Sequence, residues 1–271
     1  MQRWHLSLLL PGVFYRVSTW SLLPDANTVR PRRTESSCLA AAGAKRTNQR
    51  QVPAFDFSEP TKWNEFYQEN HETYEWHSSV SLERIASYVP EDSWCVIIGC
   101  GNSRLPETIL AAKSTSSSRI VLLDTSQVCL DQLRSIYGSS VDYVCGDATE
   151  MSSALLNTTA RNVCPMIHKF DHISGDEQTR SEAPRVDIVL DKGLMDAILC
   201  GEGWDGTVRK LLEELSRVLR PGGTYLLVSY RLPNSTKSFL CEVGKEYNLQ
   251  WNFDIEPDSN PRVSVSVATK H

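Results

Sequence analysis

Along most of the chain the apolar positions switch between two periods. In SLERIASYV, Leu82, Ile85, Ala86 and Val89 fall three or four apart, the spacing of one helix face. Upstream, Trp63, Phe66, Tyr67 and Tyr74 in TKWNEFYQENHETYEW keep roughly that spacing and predict a helix followed by a turn. Short apolar runs then predict strands over Cys95–Ile98, Ile120–Leu123, Asp142–Val144, Val186–Leu190 and Thr224–Ser229. Helical patterns separate them at Leu105–Lys113, Gln127–Tyr137 and Thr207–Leu219. Strands alternating with helices imply an α/β fold whose mostly parallel sheet is covered on both faces. After a helix near Ser235–Tyr247, LQWNFDIE and RVSVSVATK flank Pro257–Pro261 and read as an antiparallel addition at the sheet edge.

Two stretches break this rhythm. Residues 152–185 are long and polar where a short connection is expected, and read as an insertion. His168 and His172 lie four apart within it, but without further placed ligands they do not make a metal site. The first 54 residues read as a disordered basic segment ahead of a domain at 55–271. Residues 1–50 carry eight Lys/Arg against Asp25 and Glu35, a balance of +6, while the remainder carries 20 basic and 31 acidic groups, −11. An Arg- and Ser-bearing, acid-poor start is the composition of an organelle transit peptide, which gives a mitochondrial expectation with a cytoplasmic alternative.

The acidic body argues against nucleic acid as a partner, because phosphate contacts need clustered Lys/Arg. No apolar run has the length of a membrane span. The eight cysteines form no CxxC pair and read as free thiols in a reducing compartment. On that reading the sequons at Asn157 and Asn234 are chance matches.

Four motifs fall at predicted strand ends, where a doubly wound sheet binds its ligand. The first is Gly99-Cys100-Gly101-Asn102-Ser103, a turn in which two glycines let backbone approach a ligand. A dinucleotide fingerprint would place a third glycine at 104, where Arg104 stands. The second is Asp124, followed by Thr125, where an acid can accept both ribose hydroxyls of an adenosine-type cofactor or cap the next helix. The third is Asp147-Ala148, placed for an adenine edge, with a turn aspartate as the alternative. The fourth is Asp191-Lys192-Gly193, whose polar groups would face both cofactor and substrate. Pro221-Gly222-Gly223 reads as a structural turn before the fifth strand.

These positions resemble the class I S-adenosylmethionine-dependent methyltransferases over roughly Phe55 to Lys270. The resemblance implies a Rossmann-like sheet of seven strands in the order 3-2-1-4-5-7-6, the last strand antiparallel. KWNEFYQENHETYEW, GCGNSRLPE and LDKGLMDAI together resemble the eukaryotic lysine methyltransferases of translation elongation factor 1-alpha and their methyltransferase-like relatives. That resemblance implies S-adenosyl-L-methionine as cofactor, with Trp63, Tyr67 and Trp76 folded over it as a lid. It extends cofactor binding to Gly99, Gly101, Ser103, Asp124, Thr125, Asp147, Ala148 and Lys192. Asp191 is the candidate catalytic residue, orienting the acceptor amine. The implied partner is a protein: an elongation factor, or an organelle enzyme, since a mitochondrial relative methylates citrate synthase. A small-molecule methyltransferase and a non-catalytic scaffold of the same fold are the alternatives. A nicotinamide oxidoreductase is disfavoured by Arg104 and by the lack of a Tyr-x3-Lys pair.

Overall fold

The computed structural model describes residues 4–10, 13–19, 59–113, 118–161, 185–255 and 262–271. The chain divides into two units, residues 1–56 and 57–271. Within the first, β1 (Trp4–Leu10) pairs antiparallel with β2 (Val13–Thr19). The register runs from Trp4 opposite Thr19 to Leu10 opposite Val13, so apolar runs either side of Pro11-Gly12 form strands where composition predicted no element.

The second unit is a seven-stranded sheet with helices between its strands. In chain order its strands are β3 (Trp94–Ile98), β4 (Arg119–Asp124), β5 (Asp142–Cys145), β6 (Val186–Lys192), β7 (Leu219–Tyr230), β8 (Leu249–Asn252) and β9 (Val263–Lys270). Across the sheet they run β5-β4-β3-β6-β7-β9-β8, the order 3-2-1-4-5-7-6 when counted from β3. β3 to β7 are parallel, and β9 is antiparallel to both β7 and β8. The fold expected from the sequence is the fold found.

The strands are near-continuous apolar runs because both sheet faces are covered. Val96, Ile98, Val121, Leu123, Tyr225 and Leu227 join one buried cluster. α5 (Met151–Arg161), α6 (Leu194–Cys200), α7 (Trp204–Val218) and α8 (Asn234–Glu246) add Met151, Met195, Leu211 and Leu240 to it. The alternate residues Cys95, Ile97, Ile120 and Leu122 are buried on the opposite face. There α2 (Leu82–Ala86), α3 (Leu105–Ala112) and α4 (Gln127–Tyr137) bury Ile85, Leu105, Ile109, Leu130 and Leu133. α1 (Pro60–Glu69) rests on α4: the Ser126 hydroxyl donates to Asn64 Oδ1 at 2.8 Å, and Gln132 Nε2 donates to Tyr67 O at 2.7 Å.

Two elements depart from the sequence reading. The polar stretch 152–185 begins as a helix, because Met151 and Leu155, one turn apart, are both fully buried. Residues 162–184, with His168 and His172, lie outside the described residues. The turn Pro221-Gly222-Gly223 lies inside β7, where the pairing with β6 slips between Val186 and Ile188. Gly222 has φ +75°, and a Cβ on Gly223 would stand 2.9 Å from Arg220 O, so the bulge requires both glycines. Cys95, Cys100 and Cys129 are free and buried, whereas Cys145 and Cys200 are free and exposed.

Candidate active site

β3 lies at the switch point, between β4 and β6, and the loops leaving β3 to β6 open at the same edge of the sheet. Gly99 and Gly101 take φ +52° and +54°, the left-handed region that favours glycine. A Cβ on Gly99 would stand 2.9 Å from Leu194 Cβ, and one on Gly101 3.0 Å from the Tyr67 hydroxyl. The chain's own packing therefore already demands both glycines: the loop is held between α6 and α1.

A strap, residues 70–77, crosses this loop. Tyr74 N–H donates to Asn102 Oδ1 at 3.1 Å, and Asn102 Nδ2 donates to Glu72 O at 2.6 Å. The Glu75 carboxylate accepts from the Ser103 hydroxyl at 2.7 Å, Arg104 N–H at 2.6 Å and Lys192 Nζ at 3.0 Å. Lys192 ends β6 and also donates to Trp76 O at 3.0 Å. Burial lowers the Lys192 pKa, and the charge of Glu75 opposes that shift.

The acids occupy distinct settings. Asp124 is buried at the end of β4, its Oδ2 accepting Gly101 N–H at 3.0 Å and its Oδ1 accepting Ser126 N–H at 2.9 Å. Burial raises its pKa while those amides pull it down. Ser126, not Asp124, caps α4, accepting from Cys129 N–H. Thr125 between them is half-buried. Asp147 is exposed beyond β5 and accepts Thr149 N–H at 2.8 Å, while the neighbouring Ala148 is buried. Asp191 is 1% exposed. It accepts from Leu194 N–H at 2.8 Å, Met195 N–H at 3.1 Å and the Tyr225 hydroxyl at 2.7 Å. Burial pushes its pKa up to about 7, with the Tyr225 hydrogen bond opposing and Asp196 adding to the rise. All these donors belong to the fold, so the geometry gives Asp191 a positioning part: it joins β6 to α6 and β7.

The three aromatics meet. Trp63 stacks on Tyr67 with centroids 6.1 Å apart and meets Trp76 edge-on at 6.3 Å. Trp63 and Trp76 stay half-buried, whereas Phe66 and Tyr67 are core residues, which ties α1 to the folded body. Sequence reasoning missed Glu75 as a site residue, although an acid between two aromatics in YEW was the available signal. It also missed a second tie. His77 Nε2 lies 2.8 Å from Asp196 Oδ2, and Tyr230 N–H donates to Asp196 Oδ1 at 3.1 Å. The His77 ring stands edge-on to Tyr230 at 4.8 Å.

This edge therefore offers a buried acid, a glycine turn, half-buried aromatic faces and a charge pair, a donor set that fits an adenosine bearing an amino-acid head. The strand order of the sheet is the one the resemblance to class I methyltransferases implies. No protein-family model matches the chain. The chain is similar to the eEF1A lysine and N-terminal methyltransferase of Mus musculus, 25% identical over 224 residues, 78% of this chain and 28% of that protein. It is 28% identical over 199 residues to the protein of that description in Homo sapiens, covering 70% of this chain and 24% of that protein. The chain thus spans about a quarter of the length of these relatives. Among solved structures, a TehB-like SAM-dependent methyltransferase from Corynebacterium glutamicum matches at TM-score 0.47 and 16% identity, over 78% of this chain and 95% of that one. Among the described residues no three His, Cys, Asp or Glu side chains group as metal ligands, and no helix is long and apolar enough to cross a membrane.

Proposed function

We propose that this chain binds S-adenosyl-L-methionine and methylates a lysine of a protein. The observation that carries the reading is the sequence of groups along one sheet edge. It runs from Asp147 and Ala148 after β5, through Asp124 at β4 and the left-handed glycines after β3, to Lys192 with Glu75 at β6. Four adjacent strand ends span about 14 Å at ~4.8 Å per strand, room for an extended nucleoside ligand. The similarity to eEF1A lysine and N-terminal methyltransferases supports a lysine acceptor and an elongation-factor partner. An organelle enzyme is the other partner class we consider.

Bound S-adenosylmethionine supplies a sulfonium methyl with a good leaving group. The chain's task is then alignment and exclusion of water. Asp124 and the loop amides would hold the adenosine part, and Trp63 and Trp76 would cover it. Tyr230 and Trp76, both half-buried, flank His77 and Gly193 and narrow the acceptor side. A lysine nucleophile must be neutral on attack. Asp191, held near pH 7 in its titration but enclosed by the fold, acts in this reading by fixing Lys192 and α6.

The test is transfer of radiolabelled methyl from S-adenosylmethionine into cell and mitochondrial extracts. Label in protein, recovered as methyl-lysine, supports the reading. Label confined to small molecules supports the alternative acceptor class. Binding of S-adenosylhomocysteine without transfer supports a scaffold. NAD binding tighter than S-adenosylhomocysteine overturns the cofactor assignment. For the compartment we propose mitochondria, and a fluorescent fusion of residues 1–50 that stays diffuse in the cytosol removes that assignment.

A further inference from the structure

The Glu75–Lys192 pair is costly to build and is not explained by the fold. Lys192 is the only lysine or arginine among the described residues that is buried. Its side chain is 6% exposed and that of Glu75 23%, with 3.0 Å between them. Taking two charges out of water offsets most of their mutual attraction, so an apolar pair of similar volume would be as stable or more stable. The strap also has other anchors: Tyr74 and Glu72 are bonded to Asn102, and His77 to Asp196. Closing the strap therefore does not require a buried cation facing a carboxylate.

The pair's place is informative. Ile98, the last residue of β3, is in register with Asp191, so Lys192 ends β6 level with the start of the glycine turn. Glu75 reaches the same point from the strap and touches Ser103 and Arg104, where α3 begins. Asp124, the candidate ribose acceptor, is on β4, on the other side of β3. A ligand whose ribose is held at β4 and which extends across β3 presents its far end to Glu75 and Lys192. In S-adenosylmethionine that end is an amino acid, carrying one ammonium and one carboxylate.

We propose that Glu75 and Lys192 form the subsite for the amino-acid head of the cofactor, Glu75 receiving its ammonium and Lys192 its carboxylate. The assignment rests on the methyltransferase reading and deepens it. In the free protein the two side chains neutralise each other. With ligand bound they exchange partners, so neither state leaves a buried charge unpaired. No bond is made or broken. The ammonium and carboxylate of the head replace one salt bridge by two. Glu75 also keeps acceptor capacity for Ser103, since a carboxylate has about four lone-pair sites.

The test is a cycle of ligand and protein changes read by calorimetry, so it requires no methyl acceptor. The probes are S-adenosylhomocysteine, its deaminated analogue, its decarboxylated analogue, and 5′-methylthioadenosine, which lacks the head entirely. The wild-type chain is expected to bind S-adenosylhomocysteine at least tenfold more tightly than each of the other three. Glu75→Gln is expected to lose its preference for the ammonium and keep that for the carboxylate. Lys192→Met should do the reverse, and both should bind 5′-methylthioadenosine within about twofold of wild type. The wild-type comparison stands even where a variant fails to fold. Equal affinity of the wild type for S-adenosylhomocysteine and its head-altered analogues overturns the subsite and leaves the methyltransferase reading standing. Parallel losses for all four ligands in the variants also overturn it, because the pair then only shapes the loop. Absence of binding by any adenosine ligand overturns the subsite and the function together.

Discussion

Asp191 is a carboxyl group whose surroundings favour its neutral form. In an unfolded chain an aspartate titrates near 3.9, and here burial pushes it up to about 7. The folded state therefore holds the proton more tightly, and between about pH 4 and 7 folding takes up a proton. Stability from this group is fully present below pH 4 and is lost as pH rises through 7, by up to about 4 kcal/mol. Asp191→Asn, which stays neutral, is expected to abolish that slope. Urea denaturation of both proteins at pH 5 and pH 7.5 checks it: the wild type should lose stability relative to the variant at the higher pH, and parallel behaviour would refute the assignment. Tyr225, which donates to Asp191, and Asp196, whose charge acts on it, are unchanged in the comparison. The sequence placed Asp191, Lys192 and Asp124 at strand ends, since apolar runs ending in an acid are readable without coordinates. It did not show which oxygens were already taken. Asp191 is a positioning group because α6 begins three residues later, and that depends on where Leu194 and Met195 direct their amides.

The glycine turn and α1 hold each other in place. At Gly101 a methyl group would be strained by φ +54° and would stand 3.0 Å from the Tyr67 hydroxyl. Gly101→Ala is therefore expected to cost about 1–3 kcal/mol. Part of that cost is the contact alone, so Tyr67→Phe, which removes the oxygen, should make the double variant more stable than the sum of the two single changes by at least about 0.5 kcal/mol. Strict additivity in chemical denaturation would show that backbone strain accounts for the whole penalty. This coupling was not legible in the sequence, because 33 positions separate the partners and only the fold brings them together. Helices and strands with a clear period were legible. α5 was not, because Met151, Ala154 and Leu155 are interleaved with Ser152 and Ser153 and followed by Asn157, Thr158 and Thr159. The β7 bulge was read as a turn because Pro-Gly-Gly is turn chemistry, and only the pairing with β6 shows a strand already under way at Leu219.

For the molecule as a whole, the division at residue 56 predicts that deleting residues 1–56 leaves a cooperative melt and stabilisation by S-adenosylhomocysteine. Extending the deletion through Glu75 should remove both, because Phe66 and Tyr67 are core residues and each loss is of order 3–5 kcal/mol. A normal melt for the longer deletion would instead make α1 a detachable cover. The buried thiols give a way to watch such openings directly. Cys95 lies in the centre of the sheet with its pKa pushed up to about 12 by burial, and burial also raises that of Cys100 in the glycine turn. Only a thiolate in contact with solvent is alkylated, so these sulfurs should stay silent until their surroundings part. Labelling of Cys95 then clocks global unfolding, while that of Cys100 clocks the turn alone. The exposed Cys145 and Cys200 serve as internal standards for reagent activity. If ligand slows Cys100 but not Cys95, the two rates separate closure of the turn from stability of the sheet, in one native protein without an added probe.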